Sequence, residues 1–175
     1  MIQDLKKSFS SPKSRIDRGL SFVIFADPGV GKTTLLSTLP DDETMIVNTE
    51  AGLGPIMGKR HRVFNLRDDL SQLESLYMML KTNPNFFNFE PYHKPVKNVC
   101  VDNVSEFEKW METTITRGRK KEFIELKEYG DSGYKMREYV RKFRDLIYDG
   151  YNVFFTAWEA QIEVTVHGGE VRSRS

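Results

Sequence analysis

Nine residues, Ala26 to Thr34, read ADPGVGKTT and carry the groups that grip a phosphate. Gly29 and Gly31 lack a Cβ, so backbone N–H groups can curl around an anion. Lys32 adds an ammonium that reaches β- and γ-phosphate oxygens, and Thr33 a hydroxyl placed to ligate Mg²⁺. Pro28 fixes one φ angle and stiffens the turn. Asp27, Pro28, Gly29, Val30, Gly31, Lys32, Thr33 and Thr34 are the candidate nucleotide-binding set. ATP with Mg²⁺ is the candidate ligand. Ala26 stands where the strict GxxxxGK[ST] pattern has glycine, a place alanine holds when its φ is negative. The relaxed pattern arises by chance in a chain this long about once in a hundred. The setting makes coincidence rarer: the apolar run LSFVIFA precedes it and the helical pattern TLLSTLP follows. That is strand, tight turn, helix, with the helix N-terminus turned toward an anion.

Two acids extend the chemistry. Asp102 closes VCVD, three small apolar residues and an acid, the Walker B pattern that holds a Mg²⁺ shell through water. It can also cap the helix that begins at Val104. Hydrolysis needs a further group to orient or deprotonate water. Asn103 follows Asp102 and cannot be that base. Glu50, at the end of the strand TMIVNT, is the remaining carboxylate at the same sheet edge. The expected roles are therefore Glu50 and Lys32 in catalysis, with Thr33 and Asp102 on Mg²⁺.

The elements that must position these residues follow from periodicity. Leu20–Ala26 reads as a buried central strand. A helix over Lys32–Leu39 stops at Pro40. Thr44–Thr49 is a second strand, leading to Glu50 and the loop AGLGPIMG. Arg62–Leu66 is a short third strand, and Asp68–Lys81 a helix capped by Asp68 or Asp69. Residues 82–95 hold three prolines and several aromatics and read as a loop. Val96–Asp102 is a strand, Val104–Thr116 a helix, and 117–134 a basic, glycine-containing loop. Lys135–Tyr148 is a helix ended by Gly150, and Tyr151–Ala157 the next strand. Ile162–Val166 and Glu170–Ser175, joined through Gly168-Gly169, read as a hairpin. Alternating strands and helices predict an α/β fold: three layers, a mostly parallel sheet with helices on both faces, and a C-terminal hairpin. The P-loop, Glu50, Asp102 and the residues after Ala157 then meet at the carboxyl ends of the strands, where such sheets bind ligands.

Composition narrows the class. A chain of 175 residues is long enough for one domain with a sizeable core. Net charge is +1, so no global field calls for nucleic acid or membrane. The single cysteine, Cys100, excludes an internal disulfide, and the three histidines show no ligand spacing. Residues 1–18 are polar and basic and read as a flexible arm ahead of a domain spanning 19–175. The start MIQDLKKSF lacks the apolar segment of a signal peptide, and no run reaches membrane-spanning length. The expectation is a cytoplasmic protein with no membrane partner.

The order of P-loop, strand ending in Glu50, short strand, helix, strand ending in Asp102, helix and strand resembles that of the RecA-like ATPases. The segments FADPGVGKTTLLSTLP, VNTEAGL, VDNVSEF and GYNVFFTAWE are similar to phage-encoded nucleotide-binding proteins of the AAA/RecA-like class. Some of these act as single-strand annealing recombination proteins. The resemblance covers roughly residues 20–160 and implies an ATPase that binds single-stranded DNA and forms a homo-oligomer with ATP and DNA. It implies DNA-contacting loops at residues 116–134 and 158–175. Arg117, Arg119, Lys120 and Lys121 are the implied phosphate contacts, with Tyr129 or Tyr134 to stack on bases and Arg172 and Arg174 nearby. RecA-like proteins carry a polar γ-phosphate sensor after the last core strand. Trp158 and Glu159 stand there, with Gln161 slightly later, so Trp158 and Gln161 are the sensor candidates. Family members also continue further beyond the hairpin, so a shortened C-terminus is expected.

Two other readings share the P-loop. In a nucleoside or nucleotide kinase, Glu50 would be the hydroxyl base and TRGRKK a cationic lid. In a nucleotide switch, ATP would be bound without significant turnover, as the Trp158 departure suggests.

Overall fold

A computed structural model of the chain describes residues 18–49, 52–66, 70–119, 126–159, 162–165 and 171–174. Five strands form one sheet: β1 (Ser21–Ala26), β2 (Thr44–Asn48), β3 (Arg62–Asn65), β4 (Asn98–Asp102) and β5 (Asn152–Trp158). Their order is β1-β5-β4-β2-β3, and every pairing is parallel. The helices between them are α1 (Lys32–Leu36), α2 (Leu70–Thr82), α3 (Val104–Arg119) and α4 (Leu126–Asp145). The expected C-terminal hairpin is present: β6 (Ile162–Thr165) pairs antiparallel with β7 (Val171–Arg174). The α/β class and the parallel sheet stand as expected.

Alternation along each strand divides the core. Met45, Val47, Val99, Val101, Val153 and Phe155 face one side, where Leu73, Leu76 and Leu80 of α2, Phe107 and Met111 of α3, and Phe143 of α4 pack on them. Ile46 and Cys100 face the other side, against Leu36 of α1 and Ile56 of a short 3-10 turn. Helices therefore cover both faces, but unequally. Among the described residues three long helices lie on one face and a single five-residue helix on the other.

A polar ladder pins the register at the amino end of the sheet. Asn152 Oδ1 accepts the Leu20 N–H, Asn152 Nδ2 donates to Asn98 Oδ1, and Asn98 Nδ2 donates to the Thr44 hydroxyl. The two links among Asn152, Asn98 and Thr44 are side by side in the strand register, so a one-residue slip would strand the buried amide of Asn98 without partners. Gly19 lets β1 approach its neighbour, since a Cβ there would sit 1.6 Å from the Tyr151 carbonyl oxygen.

The structure corrects several expectations. β1 is a sheet edge, not a buried central strand: Leu20, Phe22, Val23 and Phe25 are exposed, Phe25 to 67%. Its apolar composition reads as buried from sequence, but among the described residues only β5 pairs with it. The helix after the P-loop ends at Leu36, with Ser37 as its C-cap, rather than at Leu39. The 117–134 segment is not a loop where it is described: α3 runs to Arg119 and α4 starts at Leu126. Gly130 and Gly133 lie inside α4. Each glycine costs about 1 kcal/mol of helix propensity. Burial of Met136 and Phe143 along the same helix outweighs that. The 82–95 segment is held down by Arg62, which donates to the carbonyls of Phe87, Asp42 and Lys94 and lies 4.6 Å from the Tyr92 ring centroid. The arm at 1–17 and the caps Asp68 and Asp69 lie outside the described residues.

Candidate functional site

The turn from β1 into α1 sits at the carboxyl edge of the sheet. Ala26 is the last residue of β1, in the extended conformation that alanine readily adopts. Gly29 and Gly31 hold φ of +80° and +99°. A Cβ on Gly29 would meet nothing within 4 Å, and one on Gly31 would only touch Thr34 at 3.8 Å. The glycines are needed for their left-handed backbone rather than for crowding. Lys32 is buried, and its ammonium donates to the carbonyls of Ala26 at 2.7 Å and Asp27 at 2.8 Å.

Asp102 stands opposite. Its Oδ2 accepts the Thr33 hydroxyl at 2.7 Å and its Oδ1 accepts the Thr156 hydroxyl from β5. The two candidate metal ligands, far apart in sequence, are thus in direct contact. Both offer oxygen, the donor that Mg²⁺ prefers, so the residues fit that ion. Thr156 escapes a sequence reading; its one signal is a hydroxyl inside the apolar run FFTAW.

Thr49 locks β2 to the same edge. Its N–H donates to the Asp102 carbonyl at 2.9 Å; its hydroxyl donates to the Asn103 carbonyl and accepts the Asn103 N–H, each at 2.8 Å. Asn103 Oδ1 accepts the Glu106 N–H at 2.7 Å. Asn103, not Asp102, therefore caps α3, which leaves the carboxylate of Asp102 to the site.

These groups enclose a cleft of about 280 Å³ bounded by Gly29, Lys32, Thr33, Gly52, Asp102 and Trp158. Trp158 extends β5 by one residue beyond the expected end and pairs in register with Ala26. Its N–H donates to the Ser105 hydroxyl at 2.9 Å. A larger apolar cavity, about 390 Å³, opens by β3, α2 and the Pro84–Phe87 turn. Its one charged lining residue among those described, Arg62, is committed to the three carbonyls named above, so it offers no grip for a phosphate.

The structure thus gathers Pro28, Gly29, Gly31, Lys32, Thr33, Thr34, Asp102 and Trp158 around one cleft. Asp27 contributes its carbonyl to Lys32, and Val30 is exposed on the turn. Glu50, Gln161, Lys120 and Lys121 lie outside the described residues. Arg117 and Arg119 belong to the last turn of α3, Tyr129 and Tyr134 to α4, and Arg172 and Arg174 to β7.

Among the described residues no helix is long and apolar enough to cross a membrane. A family model described as an AAA domain matches residues 18–174. No curated protein matches the chain.

Proposed function

The chain belongs to the AAA domain family, and from that premise we propose that it is a Mg²⁺-dependent ATPase of the RecA-like type, acting on single-stranded DNA in phage recombination or replication. The observation that carries the ATPase reading is the contact between Thr33 and Asp102 beside Lys32. Backbone N–H groups of the Gly29–Gly31 turn bind the phosphates, and Lys32 turns from the loop carbonyls to the β- and γ-oxygens. Thr33, directly, and Asp102, through water, would hold Mg²⁺, which would supply neutralisation of the phosphate charge. Glu50 orients the attacking water and takes its proton. Thr49, tied to Asn103, supports this reading by fixing the strand end that leads into Glu50.

The DNA reading is supported by the basic stretch Arg117, Arg119, Lys120 and Lys121, which begins in the last turn of α3, the helix leading away from Asp102. A homo-oligomer with ATP and DNA is part of the same proposal, because a neighbour then supplies a cation to the γ-phosphate. A second reading, a nucleotide switch with little turnover, is favoured by one observation: Trp158 lines the cleft where RecA-like proteins place a polar sensor.

The deciding experiment is ATP hydrolysis with Mg²⁺, with and without single-stranded DNA. Stimulation by DNA supports the recombination role. Nucleotide binding without hydrolysis supports the switch. Glu50→Gln should bind ATP and not hydrolyse it, and normal turnover in that variant removes Glu50 as the base. Replacing Arg119, Lys120 and Lys121 together should weaken DNA binding and flatten its salt dependence. Unchanged binding removes that stretch from the proposal.

A further inference from the structure

β1 is an edge strand without the usual protections of one. Its pairing with β5 runs unbroken from Ser21 to Ala26, with no bulge. No charged residue or proline stands between Gly19 and Ala26, although these are the devices that keep an open edge from pairing. The carbonyls of Leu20 and Ala26 accept the N–H groups of Val153 and Glu159, on the β5 side. Peptide groups alternate in direction along a strand. Those of Ser21, Val23 and Phe25 therefore point away from the sheet, where no strand stands among the described residues. The side chains along this edge are apolar and open: Leu20 is 60% exposed, Phe22 45%, Val23 63% and Phe25 67%. For side chains of this size that is about 400 Å² of apolar surface, as much as the largest patch on a typical monomer.

We propose that this edge pairs antiparallel with the β1 edge of a second copy, across a two-fold axis at Val23, so that two five-stranded sheets become one. The strand is complementary to itself in that register. Val23 meets Val23 of the second copy, Ser21 meets its Phe25, and each such pair exchanges both outward hydrogen bonds. Phe22 meets Ile24 and Leu20 meets Ala26, apolar on apolar. An axis at Ser21 or Phe25 would leave most of the run unpaired. Past the strand ends, Arg18 of one copy comes beside Asp27 of the other, and both are exposed. Opposite charges so placed favour this orientation, whereas parallel pairing would set Arg18 against Arg18. Covering the four apolar side chains of each copy removes up to about 800 Å², and the paired main chain carries the total toward the roughly 1,200–2,000 Å² of a stable interface. A strand of another protein would need only an open edge; the self-matching register and the meeting of Arg18 with Asp27 single out a second copy. The two carboxyl edges then face opposite ways, and the contact closes at two copies. It needs no nucleotide and stands apart from the assembly proposed above.

The test is sedimentation equilibrium of the full chain without nucleotide, so its outcome does not depend on the nucleotide reading. The expected result is a monomer–dimer equilibrium in the micromolar range. Dilution below that range leaves single copies, in which Val23 and Phe25 are open side chains. Val23→Lys sets two ammonium groups face to face on the axis and should weaken association at least about tenfold. Its melting temperature in dilute solution should stay near wild type. Val23→Cys should form a disulfide-linked dimer under mild oxidation, because directly opposite residues of this kind stand about 5.5 Å apart between Cα atoms. Ser21→Cys, about four residues along the strand from its own counterpart, should not. The native Cys100 is buried and does not compete. A wild-type chain that stays monomeric to about 100 μM, a dimer that survives Val23→Lys, or failure of Val23→Cys to cross-link overturns the proposal. A monomer whose Val23 and Phe25 amides resist hydrogen exchange also overturns it, and assigns the edge to a strand of the same chain. If Val23→Lys does not fold, the contrast between the two cysteine variants decides the point.

Discussion

The Thr33 hydroxyl donates to Asp102 Oδ2 at 2.7 Å, joining the P-loop helix to the end of a strand two places away in the sheet. β5 lies between them and adds Thr156, which fills the other oxygen of the same carboxylate. One acid thus ties together three strand ends and the loop that would hold the phosphates.

That arrangement separates two roles of Asp102. Asp102→Asn keeps an acceptor for one hydroxyl but removes the charge. It should leave the melting temperature near wild type while Mg²⁺-dependent nucleotide binding falls. Asp102→Ala also orphans the hydroxyl of Thr156, which costs about 1–3 kcal/mol for a group left buried and unpaired, whereas the half-buried Thr33 hydroxyl can turn to water. Thermal unfolding and Mg²⁺ titration of both variants check this. Equal stability loss in the two would show that charge, not hydrogen bonding, holds the site together.

The edge position of β1 makes its phenylalanines unequal to those of β5. Phe155, 3% exposed beneath α3 and α4, should cost about 3–5 kcal/mol when cut to alanine. Phe25→Ala, on the exposed edge, should cost under about 1 kcal/mol. Urea unfolding of the two variants gives the comparison. A large loss at Phe25 would show that the edge is covered in solution.

Cys100 is fully buried in β4, and burial, with Asp102 nearby, pushes its thiol pKa far above the ordinary range. A thiol kept protonated and enclosed does not attack. Native protein should resist a thiol reagent at neutral pH and label once unfolded in denaturant. Rapid native labelling would mean that β4 opens locally.

The Lys97 ammonium, 3.2 Å from Glu43, and that of Lys94 hold the Glu43 carboxyl below its usual pKa. A lowered folded pKa means stability that is fully present above the ordinary glutamate range, about pH 4.3, and is lost as pH falls through the lower folded value. Glu43→Gln should therefore melt lower than wild type at pH 7 and approach it as the pH drops below 4. Parallel melting curves across that window would remove the contribution.

The sequence alone was enough for the phosphate loop, the acid at Asp102 and the α/β alternation, because each is a local signal. Gly29 and Gly31 announce a left-handed turn, and VCVD announces a buried strand with a polar end. The hairpin near the C-terminus was legible for the same reason. Tertiary structure alone decided the rest. The apolar run Leu20–Ala26 has the composition of a central strand, yet strand order leaves it at the edge, and no local pattern encodes order. Gly130, Gly133 and a run of charges suggest a loop, yet packing through Met136 and Phe143 makes that stretch helical, since burial outweighs propensity. Thr49 and Thr156 are ordinary residues in the sequence. They matter only because parallel pairing carries β2, β4 and β5 to a common edge, where residues roughly fifty positions apart come within hydrogen-bonding reach.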